Sequence, residues 1–285
     1  TPARQALMPT LVPLKDFPNA VSLSMLMFQI GLISGPPLAG FLLASHGPGL
    51  VYAINAASFV AVILGLALMR TSGRPEKSES EAPRISLQAL VEGLRFVWRT
   101  PIIVQTMTLD FVATFFASAN QLLPIFATDI LRVGAQGYGF LAAAPAGGAV
   151  ISGLVMARLG TLKRQGLIVI LSVAVFGAAT IVFGLSRVFW FSLLMLALMG
   201  AADTVSTILR QTIRQLTTPN NLRGRMTSIN MIFFMGGPQL GEVEAGTVAA
   251  LIGAPLSVVT GGLGCLIAAT LALMAAKNLR RYEVK

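Results

Sequence analysis

Four carboxylates stand inside long apolar stretches, and they are the residues of this sequence best suited to chemistry. They are Asp110, Asp203, Glu242 and Glu244. A carboxylate in hydrocarbon is costly unless it faces protein, water or a cation, and burial favours its protonated form. We therefore predict that these acids hold a coupling proton or contact a substrate. The alternative for each is a structural or hydrated acid.

Two of these acids, Glu242 and Glu244, are only two residues apart. On an ideal helix, side chains at this spacing point about 200° away from each other, so they cannot form one carboxylate pair. We predict that Glu242 and Gln239 face a central cavity and that Glu244 packs against a neighbouring helix. A bend at Pro238 would rotate this assignment. Both acids being structural is the alternative.

The composition places these acids in a membrane protein. Of the 285 residues, 55% are hydrophobic and 11% are charged, and the mean hydropathy is +0.77. A soluble domain carries about 25% charged residues, so that class is excluded. There is one histidine, His46, and one cysteine, Cys265. We expect no enzyme activity, no cofactor and no metal site.

Eight apolar stretches are long enough to be transmembrane helices, since about 20 helical residues cross about 30 Å of hydrocarbon. The fold class we predict is all-α integral membrane protein. The predicted spans are residues 19–45, 50–69, 101–126, 134–156, 166–185, 188–209, 226–253 and 256–276. Residues 71–83 are polar, as in a solvated linker. From Ser86 the pattern predicts an amphipathic helix, which either lies in the membrane interface or extends the next span.

The basic residues are distributed unevenly between the predicted loops. All 21 lysines and arginines except Arg132 and Arg187 fall on the side that holds both termini. Positive charge collects in the cytoplasm, so we predict that both termini are cytoplasmic. This distribution accounts for the net charge of +10 without a nucleic-acid partner.

An internal repeat relates the first and seventh spans. With a shift of 206 residues, ten positions between Arg4 and Gly40 are identical to those between Arg210 and Gly246. Duplication of this kind is typical of secondary transporters, although a shared glycine-rich packing motif is the alternative. A six-helix period predicts twelve helices, four of which would precede residue 1, and the chain would then be a fragment.

The repeat also pairs small residues, which let helices approach closely. We predict that these positions form tight helix contacts that also serve as a gate. They are Gly31, Gly35, Pro36 and Gly40 in the first span, and Gly237 and Gly241 in the seventh.

Three motifs are distinctive. The first is Pro2-Ala3-Arg4-Gln5-Ala6-Leu7-Met8-Pro9, the second is Gly35-Pro36-Pro37-Leu38-Ala39-Gly40, and the third joins Gly153, Arg158, Gly160 and Arg164. Together they resemble the enterobactin-exporter and macrolide-efflux branch of the major facilitator superfamily. They match its junction of helices four and five, its helix-five exporter motif and its loop between helices eight and nine. Ala157 replaces an acid of that loop, which puts a charge relay there in doubt.

The resemblance implies a partial major-facilitator fold, equivalent to helices five to twelve of a twelve-helix parent. Residues 1–70 would end the N-terminal half, 71–100 would form the cytoplasmic linker, and 101–285 would form the C-terminal half. It also implies a monomeric secondary transporter in the bacterial inner membrane. Such a protein exports a drug, macrolide or siderophore in exchange for protons or another ion. A membrane scaffold that does not transport, or an intramembrane enzyme, is the alternative.

Overall fold

A computed structural model describes residues 13, 16–68, 87–116, 120–159, 162–219 and 222–283. All regular secondary structure in these ranges is helical, which confirms the predicted all-α class. The α-helices are α1 (Phe17–Ala67), α2 (Leu87–Arg99), α3 (Pro101–Phe116), α4 (Leu123–Ile125), α5 (Gly134–Leu159), α6 (Gln165–Leu185), α7 (Phe189–Thr217), α8 (Arg223–Ile252), α9 (Ala254–Ala275) and α10 (Lys277–Arg280). A 3₁₀-helix (Asn120–Leu122) and a π-helix (Phe126–Ile130) flank α4.

Five helices in these ranges are long and apolar enough to cross a membrane. They are the stretch Ile30–Gly65 of α1 and the whole of α5, α6, α7 and α9. Helix α3 is apolar but only 16 residues long, and α8 has 30 residues and includes two glutamates. The membrane class is therefore confirmed, while the count of eight spans stays a prediction.

The first two predicted spans both lie in α1 and meet at a kink at Gly47, within residues 46–49, where we expected a tight turn. Gly47 is the one non-helical residue inside α1, with φ 71° and ψ −179°. Glycine adopts this left-handed φ without steric cost. Pro48 follows at the start of the next helical segment, where an amide donor is not needed. The chain can therefore bend at one residue and remain helical on both sides.

The third predicted span is seen as α3 up to Phe116, and the chain is next described from Asn120, in the 3₁₀-helix Asn120–Leu122. Beyond it the chain forms wide turns, in which Leu131 N–H donates to the Phe126 carbonyl at 2.8 Å. These turns bury Phe126, whose ring stacks on Phe183 of α6 at 4.5 Å between centroids. This aromatic contact fixes the irregular segment on the bundle.

Small residues set the spacing between the long helices. A Cβ at Gly148 would overlap the Ala197 carbonyl, so α5 and α7 touch through backbone. A Cβ at Gly262 would lie 2.7 Å from the Gly177 oxygen, which brings α9 equally close to α6. Contacts of this kind hold membrane helices together where the hydrophobic effect does not.

Helix α2 packs on α8 at one end of the bundle. A Cβ at Gly93 would lie 2.9 Å from Arg225 Cβ, and Arg225 forms an ion pair with Glu92. The opposite face of α2 exposes Trp98. The non-helical Thr100 separates α2 from α3, so α2 is a helix of its own and not an extension of the next span. Ser86, its predicted cap, lies outside the described residues.

Candidate functional site

A buried cluster of opposite charges joins α3 to α7. Arg210 Nη1 lies 2.8 Å from Asp110 Oδ1, and Arg214 Nη2 lies 3.8 Å from Asp110 Oδ2. The three side chains are only 2–4% exposed. The carboxylate of α3 is thus held between two guanidinium groups of α7, which lie one helical turn apart.

Asp203 joins this cluster from its more exposed side. Its Oδ1 lies 3.8 Å from Arg210 Nη2, and its side chain is 52% exposed. The hydroxyl of Thr207 accepts a 2.9 Å hydrogen bond from the same Arg210 Nη2. Because Asp203, Thr207, Arg210 and Arg214 are spaced by four, three and four residues, they share one face of α7. Arg210 therefore bridges two carboxylates at different depths.

Several buried polar atoms of the cluster have no hydrogen-bond partner in the described part of the chain. They are Arg210 Nε, Arg214 Nη1 and Ser206 Oγ. Beside them is a cavity of about 10 Å³, lined by Asp203, Ser206 and Arg210 of α7 and by residues of α3 and α6. This is close to the smallest space that holds one water. Unused polar atoms beside such a space can bind a water or a polar group of a ligand.

The electrostatics of the cluster depend on the charge of each acid. Two arginines balance two aspartates, so the ionised cluster is neutral. The attraction between two buried charges offsets the free-energy cost of removing them from water only while both partners are charged. Protonation of Asp110 or Asp203 would remove one partner of Arg210 and leave the other as its sole counter-ion. The arrangement can therefore convert a change of protonation into a change of contact between α3 and α7.

The carboxylates of α8 lie outside this cluster. Glu242 and Glu244 are each partly exposed, and neither forms an ion pair within the described ranges. Gln239 is exposed. Glu244 lies at the edge of the buried stripe of α8, whereas Glu242 is about 100° around the helix from Gly241. The helix continues through Pro238.

The predicted packing residues fall into two groups. A Cβ at Gly40 would overlap the Ala135 carbonyl of α5, and a Cβ at Gly139 of α5 would overlap the Pro36 carbonyl. Gly31 and Gly35 have nothing within 4 Å of such an atom among the described residues.

On α8, the two small residues of the motif lie against α3. A Cβ at Gly237 would lie 2.5 Å from Thr114 Oγ1, and one at Gly241 would overlap the Phe115 carbonyl.

The predicted loop motif is divided by the end of α5. Gly153 is partly buried in α5 and Arg158 is exposed near its end. Arg164 pairs with Glu283 of the C-terminal segment at 3.5 Å, between two exposed side chains. Gly160 lies outside the described residues. In this structure the partner of Arg164 comes from the C-terminal segment.

Sequence reasoning missed Arg210 and Arg214. We counted both as solvated cations of a cytoplasmic loop, but α7 extends two turns past the predicted end at residue 209 and buries them. The signal was present: both arginines continue the helical spacing that begins at Asp203. Arg210 is also the repeat partner of Arg4.

The fold and the cluster together define a polytopic helical membrane protein with a buried ion-pair network. A model of the transmembrane secretion effector family matches residues 1–284. The chain belongs to this family, which is part of the major facilitator superfamily of transporters.

Curated relatives agree with this assignment. The chain is 30% identical to the enterobactin exporter EntS of Shigella boydii serotype 18. It is 29% identical to the exporters of the same name from Escherichia coli O1:K1 and O157:H7. Each match covers 276 residues, which is 96% of this chain and 65% of the relative. The chain thus spans slightly less than two thirds of the length of these relatives.

Proposed function

We propose that this chain is the greater part of a twelve-helix exporter, and that it moves a small molecule of the siderophore class by alternating access. The family and the enterobactin exporters among its relatives support export of a small molecule. The repeat of the first span in α8 supports a protein of two six-helix units. Only the end of the N-terminal unit would then lie in this chain. Both ends of the chain would then lie on the cytoplasmic side of the inner membrane.

The observation that carries the coupling mechanism is the bridge from Asp110 through Arg210 to Asp203. Asp203 is the more exposed of the two acids and receives the proton or exchanging ion. Asp110 is buried, and the guanidinium of Arg210, which contacts both acids, transmits the change in charge of Asp203 to it. A proton that arrives on Asp203 frees Arg210 for Asp110, and the contact between α3 and α7 tightens. Glu242 and Gln239 of α8 then provide polar groups for the substrate path.

Transport by everted membrane vesicles tests this proposal. The full-length exporter is expressed, the vesicle interior is acidified, and uptake of enterobactin is measured with and without the proton gradient. We expect Asp203→Asn and Asp110→Asn to reduce gradient-driven uptake by about tenfold or more, within the usual range of coupling energies. Asp129→Asn is the matched control, since Asp129 is an exposed acid outside the cluster.

Two results would contradict the proposal. Undiminished gradient-driven uptake in both cluster variants would remove these acids from coupling. If the unmodified protein takes up enterobactin at the same rate with and without the proton gradient, it does not exchange the substrate for protons. Expression level and thermal unfolding of each variant separate a transport defect from a folding defect. Antibody access to a C-terminal tag in sealed cells tests the orientation.

A further inference from the structure

A second feature of the bundle is an apolar groove between α3 and α9. Its volume is about 310 Å³. It is lined by Val104, Gln105, Thr108, Leu109 and Val112 of α3, by Ala268, Leu271, Ala272 and Ala275 of α9, and by Ala276 directly after α9. On both helices these positions recur at helical spacing, so the groove runs along the two helices rather than across them.

The length of the groove fits part of an acyl chain. The helices rise about 12 Å from Val104 to Val112 and about 10 Å from Ala268 to Ala275. One leaflet contributes about half of the roughly 30 Å of bilayer hydrocarbon. Three of the lining positions of α9, and Ala276 after them, are alanines, which widen the groove, and Thr108, Leu271 and Ala275 are exposed along it.

Basic residues stand at the end of the groove where α9 finishes. Gln105 Oε1 accepts a 3.0 Å hydrogen bond from Leu279 N–H, which holds α10 beside the first turn of α3. Helix α10 and the residue after it carry Lys277, Arg280 and Arg281. Within the described ranges none of these three cations has a carboxylate partner, and Arg280 donates to the Leu273 carbonyl.

We propose that this groove binds one acyl chain of an anionic phospholipid, whose headgroup contacts Lys277 and Arg281. Basic residues at the end of a transmembrane helix attract anionic headgroups, and an adjacent apolar groove adds the chain contact. The charge at the mouth selects the anionic headgroup over a zwitterionic one. The alanines accept the chain without a change of side-chain conformation. This site is independent of the coupling cluster and of the exported substrate.

Native mass spectrometry of the full-length protein in mild detergent tests the proposal, with dioleoylphosphatidylglycerol and dioleoylphosphatidylcholine as probes. We expect the anionic lipid to bind about tenfold more tightly. The double variant Lys277→Gln/Arg281→Gln should lose this preference. Arg158→Gln/Lys163→Gln removes two exposed cations, one at the end of α5 and one just after it, and should keep this preference.

A second pair of variants tests the groove itself. Ala275→Phe places a ring in the groove and should weaken binding of both lipids by about tenfold. Met274→Phe changes the neighbouring exposed position, which does not line the groove, and should leave binding unchanged. Equal affinity for the two lipids in the unmodified protein would overturn the proposal. So would a preference that survives Lys277→Gln/Arg281→Gln, or identical binding by Ala275→Phe and Met274→Phe.

Discussion

Arg210 Nη1 lies 2.8 Å from Asp110 Oδ1, and this ion pair connects α7 to α3 in the interior of the bundle. Neither side chain is more than 3% exposed. Because water cannot replace a lost partner there, each charge depends on the other. A buried pair adds little net stability when intact, but a single remaining charge is strongly unfavourable.

Removal of one partner should therefore destabilise the protein. We expect Asp110→Asn or Arg210→Gln to lower the free energy of unfolding by about 3–5 kcal/mol. Denaturant unfolding in mild detergent measures this loss. Arg225→Gln is the comparison, since it breaks a more exposed pair with Glu92 and should cost less than about 1 kcal/mol. Equal losses in the buried and exposed variants would contradict the interpretation.

The contact between α8 and α3 should be sensitive to a single methyl group. Gly241→Ala places a Cβ against the Phe115 carbonyl, so the helices must separate, and we expect a loss of about 1–3 kcal/mol. Gly246→Ala is matched, because nothing among the described residues lies within 4 Å of its Cβ. That variant should be neutral or more stable by up to about 1 kcal/mol. Unfolding curves that coincide for the two variants would be the contrary result.

The attachment of α1 to α5 can be tested separately. Gly139→Ala would push a Cβ into the Pro36 carbonyl, whereas Gly147→Ala on the same helix meets nothing within 4 Å among the described residues. We expect Gly139→Ala to speed hydrogen exchange in peptides from residues 30–45 by about tenfold, since docking of α1 protects them. Gly147→Ala should not alter their exchange. Unchanged exchange in Gly139→Ala would show that this contact does not hold α1.

The hydrogen bond between Gln105 and Leu279 should protect α10. Gln105→Leu removes the side-chain acceptor of the Leu279 amide and costs about 1 kcal/mol. Hydrogen exchange of a C-terminal peptide should accelerate about fivefold. Thr108→Val changes a neighbouring exposed position of α3 and serves as the control. If both variants exchange at the same rate, Gln105 does not anchor this helix.

Apolar length allowed most helices to be predicted within a few residues. The predicted span 166–185 corresponds to α6 at Gln165–Leu185, and 256–276 corresponds to α9 at Ala254–Ala275. Hydrophobic runs mark the spans because the bilayer admits little else. The wide turns at Phe126–Ile130 were not predictable in this way, since they pack Phe126 against Phe183 in another helix.

The acids of the cluster were predictable as exceptions in apolar runs, but their partners were not. Asp110 and Asp203 attracted attention because charge is rare at membrane depth. Arg210 and Arg214 follow the last apolar residues of their span, and at that position an arginine is usually solvated. Only the position of α3 beside α7 shows that both guanidinium groups turn inward.

Backbone atoms form both sides of the contact between α1 and α5, where Pro36 and Gly40 meet Gly139 and Ala135. Helices that interlock through large side chains must exchange rotamers and rebuild their packing whenever one slides past the other. A junction of carbonyls and Cα atoms has no large side chains that would need to rearrange. At these four residues, a shift of α1 along α5 therefore requires no change of side-chain rotamer.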